Sequence, residues 1–362
     1  MKKRNPDRRR PVRRRGITRA AALLALCLLL SGCGGKQAAE PVRRTVFAMD
    51  TVMNLTAYGG RGEAALDEAE RELHRLDALL ARGLETSAVY QLNSRGAADD
   101  ETVAFLLGEL LEVSEATEGA FDPTVAPVLE LWGFGSGAGE HRVPSEEELA
   151  AALAELGAEN IQIDGAHTAL AKGAVDLGGA AKGYAGRRVT EIMSAAGVES
   201  AVIDLGGDVA LLGGRPDGDP WRVAVKDPAE ESRFLGVLEA KDCFVVTSGV
   251  YERFFEENGA VYHHIIDPAT GCPAHSDLVS ATVIAPNTDA RQGVWADALA
   301  TAACVMGSEK TLALLDRLNG ENTENNFEMI LVTGDGRVLC TAGLAGRFTP
   351  ETGTGYDYEQ LP

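Results

Sequence analysis

The sequence predicts an α+β protein in which mixed sheets pack against helices. Segments with strand-like and helix-like patterns follow one another without the regular strand–helix–strand alternation that a doubly wound sheet requires. The middle of the chain reads as short strands separated by Gly-Gly turns. The chain is also long enough for a large core, since its 362 residues are 45% hydrophobic and 24% charged.

The first 32 residues predict an export signal. Residues 2–19 contain ten Lys or Arg and one Asp, and an apolar run of eleven residues, Ala20–Leu30, follows them. That run is too short to span a bilayer. It leads into Leu30-Ser31-Gly32-Cys33, which resembles the bacterial lipobox and implies cleavage before Cys33 and lipidation of its sulfur. Either cleavage there or retention as an uncleaved anchor places the folded part outside the cytoplasm on a membrane tether.

We therefore expect a signal peptide over residues 1–32, a polar tether over 33–43, one domain over 44–349 and a C-terminal tail over 350–362. The chain has a net charge of −20, and without the basic signal peptide the remainder carries about −29. This acidic balance argues against a nucleic-acid partner, because phosphate backbones are bound by basic surfaces. An anionic ligand would need backbone donors, a local Lys or a metal cation.

Four further cysteines follow the predicted signal segment, at Cys243, Cys272, Cys304 and Cys340. Their spacing is not typical of a metal site. The expected compartment permits disulfides, and the spacing is equally compatible with buried free thiols.

Periodicity predicts the elements in chain order. A strand over Arg44–Tyr58 precedes amphipathic helices over Arg61–Leu84 and Thr102–Thr117. Ser145 and Glu148 form a capping box that opens a helix ending near Leu156. The later predicted elements are strands at 161–164, at 175–177, within 201–214, at 221–225, 244–247 and 278–286, helices from the 178–179 turn to 197, at 294–306 and 309–318, and a hairpin over 329–341 around the Asp335-Gly336 turn.

Asp297 and Thr301 are candidates for a metal site. They stand four residues apart on a predicted helix, so their oxygens leave the same face one turn apart. That face is otherwise rich in Ala and Val, and a carboxylate directed into an apolar core is costly unless it is paired or binds metal. A carboxylate and a hydroxyl suit a hard cation such as Mg²⁺. Stabilisation of the carboxylate by the helix dipole is the alternative.

A glycine turn precedes another predicted helix. Asp176 ends a short strand, Gly178 and Gly179 follow, and Lys182 lies in the first turn of the helix. Glycines allow close backbone approach, and amides at a helix N-terminus suit phosphate. The segment is neither a P-loop nor a GxGxxG motif, so a tight structural turn explains its glycines equally well.

Two adjacent histidines, His263 and His264, precede the turn at Asp267-Pro268. Because successive side chains of a strand point to opposite faces, only one of them faces a given pocket. Two solvated surface histidines are the alternative.

Several aromatic and hydroxyl residues are candidates for lining the same cleft. Aromatic residues lie in the segments Gly119–Thr124 and Leu131–Gly135, where they could stack on a planar ligand or fill the core. Thr247, Ser248 and Tyr251 lie shortly before the histidines.

Taken in order, these motifs resemble the ApbE family of FAD:protein FMN transferases. The succession comprises Met49-Asp50-Thr51, GAFDPT, LWGFG, VDLGGAAKGYA, DLGGDV, PWRVAV, TSGVYERFF, HHIIDPATGCP, LVSATVIAP and ADALAT. It spans about Phe47–Gly307, and its TSG, HHIIDP and ADALAT segments are highly specific. The resemblance implies an ApbE-like flavin transferase fold.

The resemblance also implies an activity and a site. Such an enzyme binds FAD with Mg²⁺ and transfers FMN to a Thr or Ser hydroxyl of a target flavoprotein, with release of AMP. The implied site residues are the catalytic base His264, the metal ligands Gly179 (through its carbonyl), Asp297 and Thr301, and the flavin contacts Met49, Ala120, Phe121, Asp122, Asp176, Lys182 and Ile266. His263 occupies the variable position before the base.

The chain departs from the family pattern at three positions. Gly83 replaces an aromatic residue that helps to hold the flavin, Asp50 replaces a glycine, and Cys272 replaces a commoner aromatic residue. None of these is an implied metal ligand or the implied base. Two other functions stay open: Mg²⁺-dependent hydrolysis of FAD to FMN and AMP, and flavin binding by a non-catalytic lipoprotein, which would have no need of a general base.

Overall fold

A computed structural model describes residues 40–135, 140–230, 232–321 and 326–362. The predicted signal peptide and the predicted lipidation residue Cys33 lie outside the described residues. Within the ranges that are described, no helix combines the length and the apolar character needed to cross a membrane.

Helices and strands follow one another irregularly, which confirms the predicted α+β class. The described helices are α1 (Gly62–Leu80), α2 (Ala88–Arg95), α3 (Glu101–Ala116), α4 (Ala126–Trp132), α5 (Glu146–Leu153), α6 (Ala181–Ala195), α7 (Ala290–Met306) and α8 (Ser308–Glu321). The described strands are β1 (Pro41–Ala48), β2 (Thr51–Tyr58), β3 (Ala97–Asp99), β4 (Ile161–Asp164), β5 (His167–Leu170), β6 (Ser200–Asp204), β7 (Val209–Leu212), β8 (Trp221–Lys226), β9 (Phe234–Ala240), β10 (Cys243–Gly249), β11 (Phe254–Glu257), β12 (Ala260–His263), β13 (Ile266–Asp267), β14 (Cys272–Pro273), β15 (Leu278–Pro286), β16 (Glu328–Thr333), β17 (Arg337–Cys340), β18 (Phe348–Pro350) and β19 (Asp357–Gln360).

The central sheet has nine strands in the order β1-β2-β6-β7-β10-β15-β16-β17-β19. Its neighbours pair antiparallel, except for β17 and β19, which are parallel. Smaller sheets are formed by β18-β9-β8 and by β3-β5-β4, and β11-β12 and β13-β14 are two-stranded.

Side chains of the central sheet alternate between two cores, because successive residues of a strand point to opposite faces. In β10, Phe244 and Val246 belong to the core that contains the helices, whereas Cys243 and Val245 face a second core closed by β8, β9 and β18. Cys340 is buried in that second core, and all four cysteines of the described ranges are free thiols.

Helix α7 is a deeply buried element beside the site. Twelve of its 17 residues are buried, so it is covered on nearly every side. A helix that is buried on nearly every side belongs to the interior, where dense packing restricts its movement. The polar residues that α7 carries are therefore held in fixed positions.

The predicted single strand over Arg44–Tyr58 is wrong, since this segment is the hairpin β1–β2. Met49 and Asp50 form its two-residue turn with φ values of 51° and 57°. Two-residue hairpins of type I′ require positive φ at both positions, which residues other than Gly, Asn and Asp rarely adopt. The Met49 N–H donates a hydrogen bond of 3.0 Å to Asp77 Oδ1, a contact from α1 that holds the turn.

Trp221–Val225 forms a strand, as predicted, and it lies outside the central sheet. It belongs to β8, which pairs with β9 in the three-stranded sheet. Strand periodicity reports which residues are buried and carries no information on which neighbour a strand selects. Strand β9 is absent from the predicted elements.

Both ends of the described chain are more ordered than the predicted boundaries imply. Strand β1 begins at Pro41, inside the predicted tether, and β19 lies inside the predicted tail. Because β19 pairs with β17 from Asp357 to Gln360, the tail contributes an edge strand to the central sheet.

Candidate active site

A cavity of about 230 Å³ opens where segments distant in the sequence meet. It lies between the turn before α6, the end of β10, the connection from β12 to β13 and helix α7. Its lining residues are Ala120, Phe121, Asp122, Val125, Leu129, Phe134, Asp176, Gly178, Gly179, Lys182, Thr247, Ser248, Glu252, Arg253, His264, Ile265, Ile266, Pro268, Asp297 and Thr301.

Asp297 reaches this cavity from α7 and is only 4% exposed. Its Oδ2 accepts a hydrogen bond of 3.0 Å from the Gly183 N–H of α6. Burial, together with the nearby Asp208 carboxylate, raises the pKa of Asp297 to about 7. A cation in the cavity would favour the ionised form and reverse that shift.

Thr301 lies one helical turn after Asp297 and beside the glycine turn. Its Oγ1 is 3.2 Å from Ser248 Oγ. A Cβ placed on Gly179 would lie 3.7 Å from the same Thr301 oxygen and 2.9 Å from the Phe121 ring, so glycine permits this close packing. The three predicted metal ligands are therefore neighbours on one wall.

The donor set fits a hard divalent cation. A carboxylate, a hydroxyl and a backbone carbonyl are all oxygen ligands, as Mg²⁺ prefers, and Mg²⁺ usually keeps waters or substrate phosphate as its other ligands. In the described part of the chain, no three His, Cys, Asp or Glu side chains gather into a cluster that could hold a metal. A cation at this wall would thus depend on the mixed set Gly179, Asp297 and Thr301.

Lys182 brings a positive charge to the same wall. Its Nζ forms an ion pair with Oδ2 of Asp208, whose Oδ1 accepts a hydrogen bond of 3.3 Å from the Thr247 N–H. Burial acts against the charge of Lys182, but Asp208 and Asp297 outweigh it and hold the lysine pKa above its ordinary value. The lysine is therefore charged at neutral pH and suited to a phosphate.

The two histidines point to different surroundings, as predicted, although β12 ends at His263 and His264 lies in the bend that follows. His264 lines the cavity, and its Nδ1 lies 3.2 Å from the Arg253 carbonyl oxygen. His263 turns away, and its Nε2 lies 3.1 Å from the Ala274 carbonyl oxygen. Burial first, and the neighbouring Arg253 charge second, lower the pKa of His264 to about 4. His264 is therefore neutral at physiological pH.

Asp176 is held at the cavity wall by a buried arginine. Arg82 Nη1 donates a hydrogen bond of 2.6 Å to Asp176 Oδ2, and the same guanidinium forms an ion pair with Glu130. Burial acts against the charge of Arg82, but the two carboxylates outweigh it and raise its pKa. Arg82 directly precedes Gly83, the position at which the family pattern implies an aromatic residue.

The aromatic residues near the site divide into two groups. Phe121 and Phe134 line the cavity, and the Phe134 ring lies 6.3 Å from the His264 ring in an edge-on arrangement. Trp132 is instead buried at the end of α4, where its Nε1 donates a hydrogen bond of 2.7 Å to the Gly271 carbonyl. Of the Phe, Tyr and Trp side chains in the described ranges, Phe121 and Phe134 line the cavity and are placed to contact a planar ligand.

The structure brings together nearly every predicted site residue. The catalytic, metal and flavin-contact residues implied by the family resemblance all line the cavity except Met49, which lies in the β1–β2 turn. Thr247 and Ser248, expected from the strand before the histidines, line it as well. Tyr251 lines a separate cavity instead. Glu252 and Arg253 were not predicted as lining residues, although their position three and four residues after the end of β10 was an available signal.

Comparison with known proteins points in the same direction. A family model described as the ApbE family matches residues 49–324. A FAD:protein FMN transferase of Treponema pallidum (strain Nichols) is 33% identical over 91% of this chain and 94% of its own length. A FAD:protein FMN transferase of Vibrio cholerae is 33% identical over 86% of this chain and 93% of its own length.

Solved structures show the same likeness. The crystal structure of the ApbE protein from Thermotoga maritima superposes with a TM-score of 0.71 at 32% identity, covering 81% of this chain and 94% of that one. The apo form of the Pseudomonas stutzeri flavinyl transferase ApbE gives a TM-score of 0.71 at 31% identity, covering 83% and 93%. These superpositions confirm the predicted fold, and with the sequence matches they show that the chain belongs to the ApbE family.

Proposed function

We propose that this protein transfers the FMN part of FAD to a Thr or Ser hydroxyl of a target flavoprotein, with release of AMP and a requirement for Mg²⁺. The observation that carries the proposal is the meeting of His264 with Asp297 and Thr301 in one cavity. A neutral base and an all-oxygen cation site are the two elements that phosphoryl-type transfer needs. The names of the full-length relatives support the same reaction.

The proposed reaction exchanges one phosphorus–oxygen bond for another. The acceptor oxygen forms a bond to the FMN phosphorus, and the bond from that phosphorus to the bridging oxygen breaks. AMP leaves with the bridging oxygen. The proton lost by the acceptor hydroxyl is taken by a base in the cavity.

His264 is suited to be that base. Its Nδ1 faces a carbonyl oxygen, which can only accept, so the neutral ring carries its proton on Nδ1 and leaves the Nε2 lone pair free. The lowered pKa of about 4 keeps Nε2 unprotonated at neutral pH. General-base assistance of this kind typically contributes about 10²–10⁴-fold in rate.

The remaining walls would hold the substrate. Lys182 offers its charge to a phosphate, and Phe121 and Phe134 offer apolar surface to the flavin ring. Mg²⁺ held by Gly179, Asp297 and Thr301 would supply neutralisation of the pyrophosphate charge. Each group would thus act on a different part of FAD.

We also propose that Cys33 is lipidated and that the enzyme works outside the cytoplasm. The support is the basic, apolar and small-residue order of the first 33 residues. Cys33→Ser should abolish incorporation of a fatty-acid analogue and release the protein from membranes. Unchanged labelling of that variant would refute lipidation at this cysteine.

The decisive experiment incubates the purified protein with FAD, Mg²⁺ and a candidate flavoprotein subunit that carries an accessible Thr. Mass spectrometry of the subunit should show covalent FMN, with one AMP released for each flavin attached. Release of AMP without covalent flavin on any acceptor would favour FAD hydrolysis instead. Binding of FAD without release of AMP would favour a carrier.

A further inference from the structure

Arg82 joins two carboxylates behind the cavity wall. Its side chain is 6% exposed although it carries a permanent charge. The guanidinium bonds to Asp176 on one side and to Glu130 of α4 on the other. Gly135 packs against it, since a Cβ placed there would lie 3.1 Å from Arg82 Nη2. A planar group with several donors can bridge two carboxylates in this way, whereas the single ammonium of a lysine cannot reproduce it.

Asp176 connects Arg82 to the glycine turn, Gly178–Gly179. While its Oδ2 is held by Arg82, its Oδ1 accepts a hydrogen bond of 2.7 Å from the Gly178 N–H. A Cβ on Gly178 would lie 2.8 Å from that same oxygen, so the carboxylate rests directly on the turn backbone. The next residue, Gly179, packs between Phe121 and Thr301. A continuous series of contacts therefore runs from Arg82 to the wall that carries the cation ligands.

We propose that Arg82 is a positioning residue that, through Asp176, fixes the turn Gly178–Gly179 and so sets the affinity of the cavity for a divalent cation and for FAD. The identity of these ligands rests on the proposed function. The physical reason is rotational: with both oxygens engaged, the carboxylate cannot turn away from Gly178. Removal of such outer contacts typically costs about 10–100-fold in metal affinity.

The test is a double-mutant cycle read by binding rather than by turnover. Mn²⁺ affinity is measured from the electron paramagnetic resonance of the free ion, and FAD affinity from flavin fluorescence. The proteins are the parent, Arg82→Gln, Asp176→Ala and the double variant, with Arg75→Gln as matched control. Arg75 lies on α1 and bonds to Glu72 on the same helix, away from the cavity. Thermal unfolding shows that each variant is folded.

We expect Arg82→Gln to weaken Mn²⁺ binding by roughly tenfold or more, to weaken FAD binding in the same direction, and Arg75→Gln to change neither. The double variant should match Asp176→Ala within about twofold, because Arg82 acts through that residue. The inference is overturned if folded Arg82→Gln binds both probes like the parent. It is equally overturned if the two single losses multiply in the double variant.

A second substitution covers the case in which Arg82→Gln does not fold. Glu130→Gln loosens Arg82 from its solvent side, where Glu130 is 57% exposed, and should weaken Mn²⁺ binding by a smaller factor of about two to five. Parent-like binding by Glu130→Gln would then refute the inference. All of these readouts are binding constants. Failure to detect FMN transfer would therefore refute the proposed function and leave the measured role of Arg82 in ligand binding unchanged.

Discussion

The Gly183 N–H and the Asp297 carboxylate are joined by a hydrogen bond of 3.0 Å at the point where α6 and α7 cross. A Cβ on Gly183 would lie 2.0 Å from the Gly293 carbonyl oxygen, so the helices touch through their backbones. The contact that holds the two helices together therefore also orients the proposed metal ligand. Stability and ligand geometry depend here on the same few atoms.

Gly183→Ala should destabilise the protein, because the new methyl group overlaps the α7 backbone and forces the helices apart. We expect a loss of about 1–3 kcal/mol or more in the free energy of unfolding, measured by urea denaturation. The separation should also weaken Mg²⁺ binding. Gly320→Ala is the matched control, since Gly320 lies in helix α8 and a Cβ placed there would meet no atom within 4 Å apart from its own stretch of helix. The Gly320→Ala substitution should be neutral or stabilising. A similar loss of unfolding free energy in both variants would show that the close contact of α6 with α7 is not the cause.

Asp297→Asn should abolish activity, and added Mg²⁺ should no longer affect the variant. In the parent, Mg²⁺ should raise the melting temperature, since a ligand that binds only the folded state stabilises it. This rise should vanish in the variant. Activity of the parent that persists in excess EDTA would contradict the proposed metal dependence.

The same carboxyl should make the metal-free parent less stable as the pH rises. Its folded pKa of about 7 lies above the ordinary 3.8, so between these values the unfolded state loses a proton that the folded state keeps. At pH 8 and without Mg²⁺, Asp297→Asn should therefore unfold at a higher temperature than the parent, with a gain of roughly 1 kcal/mol or more. Calorimetry of both proteins at pH 5 and pH 8 measures the difference in stability between Asp297→Asn and the parent. An equal difference at the two pH values would contradict the raised pKa of Asp297.

His264→Ala should retain FAD binding and lose turnover by about 10²–10⁴-fold. Fluorescence titration with FAD and mass spectrometry of the acceptor separate the two effects. The control is His263→Gln, which alters the neighbouring ring that faces Ala274 rather than the cavity. Comparable loss in both variants would remove His264 from the mechanism.

The low pKa of His264 predicts an unusual pH profile. A base is active in its unprotonated form, so its contribution is complete well above a pKa of about 4 and is lost as the pH falls through that value. Turnover measured at saturating Mg²⁺ should therefore change little between pH 8 and pH 6 on account of this group. A free histidine with its ordinary pKa of about 6.5 would already lose most of its activity at pH 5.5. A loss of turnover centred near pH 6.5 in the parent, but not in His264→Ala, would show that burial does not lower the pKa of His264.

Local sequence patterns predicted much of the candidate site. Four-residue spacing placed Asp297 and Thr301 on one face of α7, and the prediction that only one of His263 and His264 faces the cavity is confirmed. The capping box of Ser145 and Glu148 is confirmed with both of its hydrogen bonds. The fold class and these relationships depend on periods of two or about four residues, which a chain displays before it folds. The assignment of roles to these residues came from the family resemblance, since spacing alone left the reaction open.

By itself, then, the sequence determined the α+β class, the order of most elements and which side chains share a face. Only the tertiary structure decided the partners: Arg82 for Asp176, Asp208 for Lys182, and the close passage of Gly183 along Gly293. It also decided that Met49 and Asp50 turn the chain, because a contact from Asp77 on α1 supports the positive φ of Met49, a conformation that methionine rarely adopts. These contacts join segments far apart along the chain, and their geometry follows from packing, on which local periodicity carries no information.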